Sequence, residues 1–233
     1  MKALKMILLT AIIAVPLYIA IADPFFGMFQ PVNKVAQEDN YDDKGYDYDP
    51  DDVIEDQEVH VDGFPVIYIE GNNEISREHW EGFLRDLQNE CNVPWLVKNV
   101  SSIHFCSDDI FDNAVEESEL PNDVSYSGFI LYKDNSVYIR EESDYYTPTI
   151  IHEFGHAYDN TYGITTGNYD ISILVSNQKK ACKHANKMSD IDFEYCSSDI
   201  QETFASVIQF YITSRNAGLV PEEVFNWIDT LPR

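Results

Sequence analysis

The segment HEFGH, residues 152–156, constrains the fold of this chain more than any other feature of its sequence. It lies in a stretch where apolar residues such as Ile151 and Phe154 recur at helical spacing. In a helix, residues i and i+4 lie one above the other, so His152 and His156 can present ring nitrogens to one ion. The sequence therefore predicts a helix that carries a metal site beside its apolar face.

Glu153 adds a candidate general base to this pair of histidines. It follows the first histidine directly, where its carboxylate can reach a water molecule rather than the metal. This is the H-E-x-x-H pattern of zinc metalloproteases, in which the Glu is the general base. We therefore predict one Zn²⁺ per chain, bound by His152 and His156, with Glu153 as a catalytic residue. The less specific interpretation is that both histidines only pack or face solvent on a half-buried helix.

A tetrahedral zinc site needs a third protein ligand. Asp159 and Tyr162 occupy the positions where a metzincin has a Gly and a His, which excludes that class. Asp159 is better placed to accept the N–H of a ligand imidazole than to bind the metal. A later helix, started by Ser198 and Gln201 at capping-box spacing, carries Glu202 about opposite Ile200 on its apolar stripe. We predict Glu202 as the third ligand; otherwise it is a first-turn residue that stabilises the helix dipole.

Three blocks in the C-terminal part of the chain resemble the catalytic domain of anthrax lethal factor and the related secreted Pro-Pro endopeptidases. They are HEFGHAYDN from His152, then Tyr195, and ETFAS from Glu202, seven residues beyond that tyrosine. The resemblance covers roughly residues 126–233. It implies a zincin-like metallopeptidase fold, zinc bound by His152, His156 and Glu202, and Tyr195 as the group that polarises the scissile carbonyl. Ser206 departs from the family, which usually has an acidic residue there.

The strand that directly precedes the metal helix contains Val137, Tyr138 and Ile139. In peptidases of the resembled family, an edge strand at this place pairs with the extended substrate. Backbone hydrogen bonds to such an edge give affinity, and side-chain pockets give selectivity. The resemblance therefore implies that these three residues bind substrate. The alternative is an ordinary core strand.

The first 22 residues have the composition of a secretory signal peptide. Lys2 and Lys5 precede an apolar run that ends in Ala20-Ile21-Ala22, an A-x-A pattern. We predict a secreted protein with no stable membrane insertion after signal cleavage. The alternative is a membrane anchor formed by an uncleaved N-terminal segment, because the run is barely long enough to span a bilayer.

Residues 23–58 are predicted to be an acidic disordered tether or pro-segment. From Glu38 to Glu58 there are eleven Asp or Glu residues and a single lysine, Lys44. Like charges at this density repel each other and stay solvated. A calcium site is the alternative, although the spacing fits no EF-hand loop.

Residues 59–233 are predicted to form one α+β domain with a small mixed sheet, then the HExxH helix and a second, ligand-bearing helix. The first expected elements are a strand at 64–69, a helix capped by Ser76, strands at 95–97 and 102–106, and a helix at 108–117. A hairpin of 127–132 and 136–140 follows. The metal helix then starts at Thr147 and Pro148, and the second ligand helix and a helical tail complete the domain.

Four cysteines in an exported chain predict two disulfides. Three pairings are possible. Pairing of neighbours, Cys91 with Cys106 and Cys182 with Cys196, is preferred because each bridge closes a short loop between adjacent elements. The second bridge would fix the segment that leads to Glu202.

The net charge of −26 argues against a nucleic-acid partner, because phosphate binding needs a basic patch. The acidity suits a basic substrate or a salty environment. We predict a monomeric, secreted zinc endopeptidase that acts on a peptide or protein substrate. The alternative is a non-catalytic zinc-binding or surface-tethered interaction protein on the same scaffold.

Overall fold

A computed structural model describes residues 53–71, 74–118, 120, 126–143, 145–167, 200–213 and 222–233. These residues form a mixed α+β structure with one five-stranded sheet and six helices, which confirms the predicted class. The strands are β1 (Gln57–Val59), β2 (Val66–Glu70), β3 (Ser102–Cys106), β4 (Gly128–Leu131) and β5 (Ser136–Arg140). The helices are α1 (Arg77–Asn89), α2 (Pro94–Val97), α3 (Asp108–Glu117), α4 (Tyr146–Tyr162), α5 (Ile200–Thr213) and α6 (Glu222–Ile228).

The strands lie in the order β1-β2-β3-β5-β4. Strands β2, β3 and β5 run parallel to one another, whereas β1 and β4 pair antiparallel with β2 and β5. The predicted hairpin of β4 and β5 is confirmed, and its turn contains Asn135 at φ 61°, a left-handed conformation that Asn tolerates better than most residues. The hairpin places β4 at the edge of the sheet and β5 inside it.

The prediction that residues 137–139 form a substrate-binding edge strand is therefore wrong. Val137 and Ile139 are fully buried in the main core, and Tyr138 stacks on His104 of the neighbouring strand with ring centroids 4.3 Å apart. Both sides of β5 are already hydrogen-bonded, to β3 and to β4. An added strand has no backbone groups to pair with there.

The main core lies between the sheet and helices α1 and α4, and it continues into the contact of α4 with α5. Alternate residues of the strands point towards it. Phe83, Phe105 and Tyr146 form an aromatic cluster there, with Phe83 and Phe105 stacked at 4.4 Å between centroids. The opposite face packs a smaller cluster around Phe111 of α3 and Phe129 of β4. Helix α4 is the central element, since most of its residues from Tyr146 to Asp159 are buried.

Helix α1 begins as predicted, because the Ser76 side chain accepts a hydrogen bond from the His79 N–H at 3.2 Å. The strand predicted at 95–97 is wrong: these residues form α2. Pro94 stands in the first turn, where its fixed φ favours a helix, and the Asn99 side chain donates to the carbonyl of Trp95 at 2.8 Å. A short apolar run is compatible with either structure, and the proline decides between them here.

Helix α4 begins at Tyr146, earlier than the predicted Thr147 cap. The Thr147 hydroxyl donates to a carboxylate oxygen of Asp86 in α1 at 2.9 Å, so it ties two helices together instead of capping one. The helix ends at Gly163, which has φ 61° and donates its N–H to the Asp159 carbonyl. Glycine reaches this left-handed conformation without steric cost.

The folded region begins before the predicted boundary at Val59. Val53 forms a bridge to Ser76, and the Ile54 N–H donates to the Ile75 carbonyl at 2.9 Å. The predicted signal peptide and most of the acidic segment lie outside the described residues. Within the described ranges, no helix is long and apolar enough to cross a membrane.

The predicted disulfide between Cys91 and Cys106 is wrong. Both are buried free cysteines, and they belong to the cores on opposite faces of the sheet. The Cys91 thiol lies 3.8 Å from the Thr147 carbonyl oxygen, and the Cys106 thiol lies 3.7 Å from a Glu70 carboxylate oxygen. Burial raises the pKa of both thiols well above the usual range, so both stay protonated. The other predicted pair, Cys182 and Cys196, lies outside the described residues.

Candidate metal centre

His152, His156 and Glu202 meet between α4 and α5, as predicted. The two histidine Nε2 atoms lie 3.1 Å apart. One Glu202 carboxylate oxygen lies 3.1 Å from Nε2 of His152, and the other lies 3.4 Å from Nε2 of His156. In the part of the chain that the structure describes, this is the one His, Cys, Asp or Glu group arranged to hold a metal ion.

The spacing of the two nitrogens and the Glu202 carboxylate is close to that around a tetrahedral ion. Zinc bonds to imidazole nitrogen and carboxylate oxygen are about 2.0–2.1 Å long, so tetrahedral ligands lie about 3.3–3.4 Å from one another. The two nitrogens lie 3.1 Å apart, and they lie 3.1 and 3.4 Å from different oxygens of the Glu202 carboxylate. Two nitrogens and one oxygen are also a donor set that zinc accepts, and three protein ligands leave one position open.

The close contact of α4 with α5 produces this geometry. Gly155 lies between the two histidines, and a Cβ atom built on it would come within 3.0 Å of the Ala205 Cα. Because neither residue has a large side chain, the helix backbones approach closely enough for Glu202 to reach both rings. The two imidazoles are almost completely buried, at 2% and 3% exposed for His152 and His156.

The carboxylate of Glu202 is held in its ionised form. Burial alone would raise its pKa, but hydrogen bonds from His152 and His156 outweigh that effect and hold the pKa well below its usual range. A metal-ligating carboxylate must be deprotonated, and Glu202 is ionised in the metal-free site, where the histidines donate to it.

Glu153 has the opposite environment in the same site. It is 6% exposed, and burial raises its pKa to about 8. His152 acts to lower this pKa, whereas the negative charge of Glu202 raises it further. Its side chain lines a groove together with His156 and Glu202. Two neighbouring carboxyl groups with pKa values shifted in opposite directions suit two different roles, a ligand and a proton acceptor.

Strand β4 forms one wall of this groove. The lining residues outside the charged group are mostly aliphatic or aromatic: Leu120, Tyr126, Gly128, Phe129, Ile130 and Tyr132. Among the strands that the structure describes, β4 pairs on one side only, with β5. The edge strand beside the metal site is therefore the first strand of the hairpin, one strand away from the predicted position.

Tyr132 is a contact of the site that the sequence did not reveal. It directly follows β4, and its hydroxyl oxygen lies 3.2 Å from Nδ1 of His156. The two rings meet edge to face, at 88° and 6.1 Å between centroids. One tyrosine among fifteen in the chain has no local signal for such a contact, since hairpin placement brings it to the helix.

Asp159 does not orient a ligand histidine, contrary to the prediction. One carboxylate oxygen accepts the Thr165 N–H at 2.8 Å, and the other accepts the Thr165 hydroxyl at 2.5 Å. Asp159 thus fastens the loop after α4, beyond Gly163. The group beside the second ring nitrogen of His156 is Tyr132 instead. Tyr195, the predicted oxyanion stabiliser, lies outside the described residues.

No protein-family model and no curated protein sequence matches this chain. The resemblance to lethal factor therefore rests on the three motif blocks and remains a prediction.

Proposed function

We propose that this protein is a secreted zinc-dependent endopeptidase. One observation supports it most: the two histidine nitrogens and the Glu202 carboxylate, at spacings close to those of tetrahedral ligands, lie beside a buried carboxyl group, Glu153, that is not one of them. A purely structural zinc site has four protein ligands and no general base beside them, whereas a catalytic site has three protein ligands. The HExxH motif and the resemblance to lethal factor point to the same reaction, hydrolysis of a peptide bond.

Each residue of the site has its own proposed role in this reaction. A bound zinc ion would act as a Lewis acid and generate a nucleophile from water at neutral pH. His152, His156 and Glu202 would hold it. Glu153 takes the proton from the attacking water and passes it to the leaving amine, and its raised pKa lies near the pH at which a general base works best. Tyr195 is proposed to stabilise the oxyanion.

The substrate is proposed to lie along β4. An extended peptide can pair with the side of β4 that no described strand occupies, while its scissile bond lies over the groove at Glu153 and His156. Leu120, Tyr126 and Phe129 give this groove apolar walls, which favour an apolar substrate side chain next to the cleaved bond.

The experiment is cleavage of an unbiased peptide library by the purified full chain, before and after chelation and after zinc is returned. Chelation should abolish cleavage and zinc should restore it. The Glu153→Gln variant should bind one zinc ion per chain yet cleave about 10²–10⁴ times more slowly, because it keeps the shape of the side chain and removes the base. Glu116→Gln, on the exposed face of α3, is the matched control.

Two results would contradict parts of the proposal. Equal cleavage by Glu153→Gln and the unmodified protein would remove the general-base role. Stoichiometric zinc binding with no cleavage of any library member would instead favour the non-catalytic zinc-binding alternative.

A further inference from the structure

The two ring nitrogens of His156 face different partners. Its Nε2 lies 3.1 Å from Nε2 of His152 and 3.4 Å from a Glu202 oxygen, inside the candidate metal site. Its Nδ1 lies 3.2 Å from the hydroxyl oxygen of Tyr132, outside it. A neutral imidazole has one N–H and one lone pair, so the partner of one nitrogen decides what the other can do.

We propose that Tyr132 is a positioning residue for the metal centre, which holds the His156 ring with Nδ1 protonated and Nε2 free to bind metal. The Nδ1–H donates to the phenolic oxygen, and the lone pair of Nε2 then points at the shared centre of the three ligands. Metal-ligating histidines generally donate their other N–H to an acceptor that fixes ring orientation and tautomer. This inference rests on the proposed zinc site.

A set of hydrogen bonds fastens the hairpin turn to α4 and so holds Tyr132 in place. Asn160, one helical turn beyond His156, donates its side-chain amide to the Tyr132 carbonyl at 2.7 Å and to the Asn135 side-chain oxygen at 2.6 Å. Asn135 in turn donates to the Thr161 hydroxyl at 3.2 Å. Residues i and i+4 share a helix face, so this clamp lies directly next to the ligand it supports.

Because Tyr132 lies partly at the surface, a role at the metal site can be distinguished from a role in folding. Tyr132 is 44% exposed, so removal of its hydroxyl leaves no buried cavity. The ring still covers the edge of His156 in a Tyr132→Phe variant, and the acceptor for Nδ1–H is lost. A loss confined to the zinc-bound state is therefore the signature of the proposed role.

The test measures zinc affinity by competition with a chelator, the visible spectrum of the Co²⁺-substituted protein, and the melting temperature of the metal-free protein. Tyr132→Phe is expected to bind zinc about 10-fold more weakly and to show an altered Co²⁺ spectrum, with an unchanged metal-free melting temperature. Tyr145→Phe makes the same chemical change at an exposed site outside the groove, and its affinity and spectrum should match the unmodified protein. Asn160→Ala should weaken zinc binding less than Tyr132→Phe.

Unchanged zinc affinity and an unchanged Co²⁺ spectrum in Tyr132→Phe would overturn this inference alone, if the unmodified protein binds zinc and Glu153→Gln is inactive. Absence of stoichiometric zinc binding by the unmodified protein would overturn the proposed function and this inference with it. Loss of affinity in Tyr132→Phe and Tyr145→Phe alike would show that the effect is not specific to the His156 contact.

Discussion

Glu141 follows β5 directly and has a buried side chain, although it takes no part in the candidate metal site. It is 8% exposed, and its Oε2 has no hydrogen-bond partner among the described residues. Burial raises its pKa to about 7, and Asp108, Glu142 and Glu74 add to the shift by like-charge repulsion. The folded protein therefore holds a proton here that the unfolded chain releases at much lower pH.

This residue should make stability depend on pH. Its pKa is raised from 4.5 to about 7 on folding, so its favourable contribution is complete below pH 4.5 and is lost as the pH rises through 7. Glu141→Gln cannot ionise, so at pH 8 it should be more stable than the unmodified protein by about 3 kcal/mol, and near pH 4.5 about equal. Urea unfolding of both proteins across this pH range measures the difference. A constant difference between the two would contradict the pKa shift.

Single residues of the site were predictable where chemistry and spacing coincide in the chain. His152, Glu153 and His156 follow from one helical motif, and Glu202 from a helix start with a carboxylate opposite its apolar stripe. Tyr132 was not predictable, because its contact depends on how a hairpin docks against α4. The same limit explains the errors at Asp159 and at the cysteines, whose partners are set by tertiary structure.

Helices α4 and α5 were both anticipated, but the closeness of their contact was not. Gly155 packs against the Ala205 backbone, and this approach sets the distance between the histidine and glutamate ligands. A glycine inside a helix ordinarily weakens it by about 0.5–1 kcal/mol relative to alanine. Here that cost allows two helix backbones to meet at the metal site.

Gly155→Ala should therefore destabilise the protein and weaken zinc binding together. The new Cβ would lie 3.0 Å from the Ala205 Cα and 3.4 Å from the Ile208 Cβ, so the helices must separate, at an expected cost of about 1–3 kcal/mol. Gly82→Ala in α1 is the control, because its Cβ would meet Tyr146 at an ordinary 3.5 Å. Urea unfolding and zinc titration should show a loss in the first variant only. An equal gain of stability in both variants would mean that the helix propensity of alanine, and not the contact with α5, sets the result.

Strand order was the part of the fold that the sequence predicted least. Local alternation and turn residues identified β4 and β5 as a hairpin, but they do not say which strand pairs with β3. In this sheet β5 does, through parallel pairs such as Ile103 with Val137. The strand expected to lie at the edge of the sheet was therefore predicted one position too far inside. Pairing between distant segments depends on packing across the whole core, which a local pattern does not encode.

At the scale of the whole molecule, the candidate metal site joins two helices that are far apart in the chain. Its ligands His152 and Glu202 are fifty residues apart in sequence. An ion bound by both restricts the folded state only, because the unfolded chain has no preformed site. The net charge of −26 also raises the local concentration of cations around the protein.

Zinc should consequently raise the melting temperature of the unmodified protein. At free zinc about 100 times the dissociation constant, linkage gives about 2.7 kcal/mol, or about 5–10 °C for a domain of this size. Thermal unfolding with zinc and with excess chelator measures this shift. Glu202→Gln should lose most of it, because an amide neither carries charge nor binds zinc well, while Glu116→Gln should keep it. An equal zinc-dependent shift in Glu202→Gln would mean that the ion stabilises the fold from some other place.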